Sequence, residues 1–212
     1  PLPQLSQAVG SRNACIQCHP DRDHDWALEQ IRAWHPGFET RTAPESHRAL
    51  LVKSLRASDW RRLPAALDFI ADRQADPLFA ATVIRLLPPS DAPRQRILLR
   101  ELAAGAPHPL VRAAATTALD ADAVPDDRPA LIDALSDDSR LVRIRAAERL
   151  AALPENTIPI EHRKALARAV GEMWESCNLR LDHWSSHYNA GNIMMRQNRL
   201  DEAAAKFDRA HA

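Results

Sequence analysis

Apolar positions along most of this chain recur every three to four residues and do not alternate, which predicts helices and no strands. The stripes are clearest from residue 58 onward, at 61–72, 77–87, 93–104, 109–119, 128–135 and 141–150. They also repeat. Pro77-Leu78-Phe79 through Leu87 aligns with Pro109-Leu110-Val111 through Leu119 at an offset of 32, and Leu110–Leu119 aligns with Leu141–Leu150 at an offset of 31. Three helix pairs at that spacing predict an α-solenoid, because no single pair can bury its own apolar stripe and each new pair closes the core of the last. Small residues such as Ala115 and Ala146 let helices approach, while Leu119 and Leu150 fill the seam. Ahead of the repeats, residues 1–14 read as an extended lead-in. A helix is expected over 23–34, ended by Pro36-Gly37, and another from Pro44 or Glu45 to about Ala57. After Pro159 a helix over 161–177 precedes a changed pattern at 186–210.

Composition narrows the class. Alanine and leucine supply 63 residues against 23 for valine, isoleucine and threonine, and glycine only five, so an all-β fold is excluded and all-α favoured. Basic and acidic side chains number 28 each, which excludes the broad positive field of a non-specific nucleic-acid binder. No run approaches 18 apolar residues, so no membrane span is expected. Among the cations 25 are arginine and three lysine, a skew that reflects genome composition. The chain begins at Pro1 with no initiating methionine, basic leader or apolar signal core, which reads as a processed product or a fragment.

The compositional outlier is 15–58, which holds Cys15, Cys18, His19, His24, His35, His47, Trp26 and Trp34. Cys15-Ile16-Gln17-Cys18-His19 has the C-x-x-C-H spacing of covalent haem attachment. Two thiols separated by two residues sit on one helical turn and can add to both haem vinyl groups. The adjacent imidazole then meets the iron from the proximal side. Two alternatives use the same residues. A zinc site would need Cys15, Cys18, His19 or His24 and a further ligand, without the usual second cluster. A thioredoxin-like redox pair would need a βαβ context. Trp26 and Trp34 could cover a porphyrin or simply anchor helices, whereas Trp60, Trp174 and Trp184 are expected in the core or at repeat junctions. Cys177 reads as a buried free thiol. His24 is too near His19 to reach the opposite haem face and reads as surface. His108, His162, His183, His187 and His211 read as satisfied or solvent-facing. No acid/base pair, nucleophile triad or phosphate loop suggests an enzyme; Asp21, Asp23 and Asp25 sit where a helix begins, which favours capping.

Specific resemblances rest on these residues. The pattern V-R-x-x-A-x-x-x-L at 111–119 and 142–150, with Asp137-Asp138 ahead of the second copy, resembles HEAT repeats. That resemblance implies that Arg112 and Arg143 bond to aspartates of adjacent repeats. Gly191, Met194, Ala203, Phe207 and Ala210, with Arg199-Leu200-Asp201-Glu202-Ala203, resemble one tetratricopeptide repeat. Together with Pro1-Leu2-Pro3-Gln4-Leu5-Ser6, Asn13-Ala14-Cys15, Cys18-His19, Asp21, Trp26-Ala27 and Trp34, the chain looks like the C-terminal part of a family of multihaem c-type cytochromes. In these, doubled CXXCH or cytochrome c554-like haem domains precede HEAT and tetratricopeptide repeats. The resemblance runs along nearly the whole chain and is strongest at 13–27 and 186–210. It divides the chain into a haem segment 1–57, HEAT-like repeats 58–157 and a tetratricopeptide-like repeat 158–212. It implies one haem c on Cys15 and Cys18, iron ligated by His19 and by His47, with His35 next in line. It further implies electron transfer to a redox partner protein or other haem domains, as a subunit of a larger assembly, in the periplasm or on the outer surface. A protein-interaction scaffold with a structural zinc clip is the alternative from a different class.

Overall fold

A computed structural model describes residues 2–90 and 92–211; the side chains of residues 39–46 and 155 fall outside what is described. The regular structure of the described residues is entirely helical, without a strand. The chain divides into two compact units, one comprising residues up to Phe69 with Leu86–Pro88, the other Ile70–Arg85 and everything from Pro89 on.

The first unit opens with a helix where an extended lead-in was expected. Helix α1 (Pro3–Val9) begins on a proline at its first position, where the missing N–H costs nothing. It closes on Gly10 at φ +71°, whose amide donates to the carbonyls of Gln7 and Ser6. Pro3 and Gly10 thus bracket the segment instead of extending it. A single-turn helix α2 (Ala14–Cys18) comes next. Helix α3 (His24–Trp34) is capped by Asp23, whose Oδ1 accepts the Trp26 amide at 2.8 Å, and buries Ala27, Leu28 and Ile31. Gly37, at φ +76°, turns the chain into α4 (Phe38–Arg56). This helix starts before the expected Pro44 or Glu45 and carries through the proline, although an interior proline gives up one main-chain hydrogen bond. His47 therefore lies inside α4, not at its start. Leu51 and Leu55, one turn apart, are buried, and the Lys53 ammonium donates to the Ala8 carbonyl, tying α4 to α1. A 3-10 turn (Trp60–Arg62) leads into α5 (Leu63–Ala71).

The periodic region forms the helices its stripes predict: α6 (Pro77–Leu86), α7 (Pro93–Gly105), α8 (Pro109–Ala118), α9 (Arg128–Ala134) and α10 (Arg140–Leu150). Helix α7 packs on α8 and α9, α8 on α10, and α10 on α9 and on α11 (Arg163–Asn178). Helix α11 meets α12 (Trp184–Arg196), which pairs with α13 (Leu200–His211). The small and large seam residues Ala115, Leu119, Ala146 and Leu150 are fully buried. Arginines join segments 31 to 33 residues apart: Arg73 to the Gly105 carbonyl, Arg96 to Asp127, Arg140 to the Glu172 carbonyl, Arg149 to the Thr117 carbonyl and Arg168 to the Leu135 carbonyl.

Candidate functional site

The turn that carries the motif is laced by short-range bonds. Asn13 Oδ1 accepts the Cys15 amide at 2.9 Å, the Asn13 carbonyl accepts from Gln17, the Cys15 carbonyl accepts the His19 amide at 3.0 Å, and the His19 carbonyl accepts from Arg22 at 3.0 Å. Cys15 and Cys18 are three residues apart on this turn and so share one face. Cys15 is half-buried and Cys18 exposed, and neither forms a disulfide. His19 ends the helix with its ring exposed and 4.9 Å from the half-buried indole of Trp26, tilted by 55°. The Arg22 guanidinium lies 5.8 Å from the same indole centroid and pairs with Asp21 at 3.2 Å.

This donor set fits covalent haem. Attachment needs two reduced thiols reachable from one side and an imidazole beside them with its ring free, and the turn offers all three. A zinc clip needs converging donors. Among the described residues no three of histidine, cysteine, aspartate and glutamate come together as a metal set.

The other histidines take varied places. His47 is exposed on α4, and His35 is exposed at the C-terminal end of α3. His24, expected at the surface, is half-buried, with Nε2 shut away from solvent and lacking a hydrogen-bond partner. It opens α3 directly after the Asp23 cap, and the packing of α3 draws it inward. His108 and His183 are helix caps: their Nδ1 atoms accept the amides of Leu110 at 3.2 Å and Ser185 at 3.3 Å. His187 Nε2 sits 2.9 Å from the Leu181 carbonyl. The caps could have been found, since each histidine stands directly before a proline or tryptophan that begins a helical stripe.

Two tryptophans depart from expectation. Trp60 and Trp184, assigned to the core or to junctions, are exposed, whereas Trp174 is half-buried beside the Arg199 guanidinium. Trp60 opens a 3-10 turn, and Trp184 opens α12, where a first-turn side chain has no preceding turn to pack on. Trp184 instead starts an aromatic chain through Tyr188 to Phe207. Trp34 is 66 % exposed at the end of α3. Cys177 is buried as expected, and burial pushes its thiol pKa up.

Two arginine clamps tie α8 and α10 to later segments of the chain. Arg112 grips Asp137 through Nε at 2.7 Å and Nη2 at 2.9 Å while Nη1 donates to the Ala106 and Pro107 carbonyls. Arg143 repeats the grip on a glutamate, Glu172 of α11, with Nη1 on the Asp137 and Asp138 carbonyls. The aspartate partner expected for Arg143 is thus a longer acid. Comparison with protein-family models, with curated proteins and with solved structures finds no match to this chain.

Proposed function

We propose that the chain is an electron-transfer c-type cytochrome segment with one haem covalently held at Cys15 and Cys18 and supported by a helical-repeat scaffold. The observation that carries this reading is the capped turn with both thiols free and the His19 imidazole exposed beside them. A haem bound there supplies an iron that takes up and releases single electrons. The residues of the chain do the rest. Cys15 and Cys18 tether, His19 is the proximal ligand, and the Trp26 indole orients that imidazole and keeps water from one side of it. His47, exposed on α4, is the proposed second ligand on the strength of the family resemblance, ahead of His35.

Arginine bonds between segments 31 to 33 residues apart, some reaching forward and some back, support a HEAT-like stack over the middle of the chain, because they join positions about one repeat apart. The contact of Gly191 with the Phe207 ring supports a tetratricopeptide-like pair at α12 and α13. Such a scaffold would dock a redox partner or neighbouring haem domains. Because haem is attached to exported chains, the proposal puts the protein in the periplasm or on the outer surface. No described helix is long and apolar enough to cross a membrane.

The test is expression with a c-type maturation system. The reading expects a red product, a pyridine haemochrome spectrum and an intact mass raised by one haem, all lost in the double variant C15A/C18A. A colourless wild-type chain that binds zinc stoichiometrically would overturn it in favour of the scaffold alternative.

A further inference from the structure

Helix α2 contributes no fully buried side chain; only Cys15 and Ile16 are half-buried, and its contact with α3 is slight, so packing holds it weakly. A five-residue helix is also far too short to persist on its own. Much of its order therefore comes from its ends, and the N-terminal end is Asn13, which is 2 % exposed. We propose that Asn13 is the positioning residue of the haem-attachment turn, an inference that rests on the haem reading above. Its side-chain carbonyl fixes the Cys15 amide and its main-chain carbonyl accepts from Gln17, so one residue secures the whole first turn. The Cys15 carbonyl then receives the His19 amide, which carries the constraint from the first thiol to the proximal imidazole.

The choice of residue fits this role. Asn13 leaves Nδ2 buried without a protein partner, so the bond that anchors this side chain is the one its oxygen accepts from the Cys15 amide. An aspartate would cap equally well but would bury a carboxylate at this position. Serine keeps the accepting oxygen and drops the orphaned amide, which makes N13S the informative rescue. Alanine keeps neither.

The experiment compares wild type, N13A and N13S, expressed with a c-type maturation system and also without it. Intact mass counts haem per chain, and the pyridine haemochrome band separates two thioether links from one, since an unreacted vinyl group stays conjugated and moves the band to longer wavelength. In N13A the doubly linked fraction should fall about fivefold, with singly linked product appearing, and amide exchange at Cys15 in the haem-free chain should quicken about fivefold. The thermal midpoint of the far-UV signal should not change, and N13S should restore both readouts. Wild-type loading in N13A, or failure of N13S to rescue, overturns the role of Asn13. A wild-type chain that takes no haem overturns the haem reading instead, which separates the two failures.

Discussion

Replacing Asp127 with alanine should unlock the joint between α7 and the turn that leads into α9. The Asp127 carboxylate is 0 % exposed and accepts from Arg96 Nη2 at 2.5 Å, Arg100 Nη1 at 3.1 Å and the Asp120 amide at 3.0 Å. Of the two cations, the Arg96 side chain is 10 % exposed and that of Arg100 29 %. On losing the carboxylate, Arg100 can swing towards water. Arg96 cannot, since its Nε is already buried without a partner and the bond left to its Nη1, to the Ala118 carbonyl, is a long one at 3.5 Å. Breaking one side of a buried pair costs about 3–5 kcal/mol, and the relief open to Arg100 puts this case near the lower end, about 3 kcal/mol. For a chain of this length that corresponds to a loss of roughly 6–12 °C in melting temperature. D127N keeps the shape and one accepting oxygen and should lose less. Circular dichroism or calorimetric melting of the three proteins decides it. A D127A midpoint within about 2 °C of wild type would refute the idea that this pair holds the helices together.

Three further outcomes rest on the geometry. Burial raises the pKa of Asp137, but the Arg112 hydrogen bonds and the neighbouring amide and arginine charges outweigh it and hold the pKa below its ordinary value; the bonds from Arg143 do the same for Glu172. Depressed carboxylates add stability above their unfolded pKa, near 4, that is lost as pH falls through the folded value. D137N and E172Q should therefore flatten the loss of stability between pH 5 and pH 2, measured by urea melts at each pH. A methyl group at Gly191 would stand 2.7 Å from the Phe207 ring, so G191A should cost about 1–3 kcal/mol by overpacking, and F207L added to it should recover part of that in thermal melts. In the haem-loaded chain W26A removes the indole beside His19 and admits water, which should lower the reduction potential by on the order of tens of millivolts in redox titration.

Stripes that are long and mutually supporting were legible. Leu110–Leu119 and Leu141–Leu150 announce α8 and α10 because each buries the same positions against its neighbour. Features set by the ends of elements were not. Helix α1 has no apolar stripe long enough to register and exists through Pro3 and Gly10. Helix α4 begins at a left-handed glycine, while its Pro44 looked like a start. Residue type also misjudged burial at Trp60 and Trp184, because a large aromatic buries only where a partner surface reaches it. The partner of Arg143 lies on α11, where the repeat pattern has already changed, so an offset taken from the earlier pairs could not point to Glu172. At the motif, the sequence named the thiols and the imidazole but not the cap: Asn13 entered only as part of a family resemblance, and its physical role appears once its burial and its bond to Cys15 are known.

The contrast between the two regions has a chemical logic. Helices α7 to α11 are held by buried seams and by bidentate arginine clamps, a construction that resists local opening. The C-x-x-C-H turn is held by main-chain bonds and a single side-chain cap, and it buries none of its own residues. Thioether formation needs thiols that are reduced and accessible when the porphyrin is delivered, and an imidazole that is not already committed to another partner. A turn fixed in direction yet open on its outer face meets both needs. If α2 were sunk into the core, Cys18 and His19 would have to be unfolded before they could react. On the proposed haem reading, reactivity and order are compatible because the cap bond from Asn13 lies at the start of the turn, while Cys18 stays exposed and Cys15 half-buried.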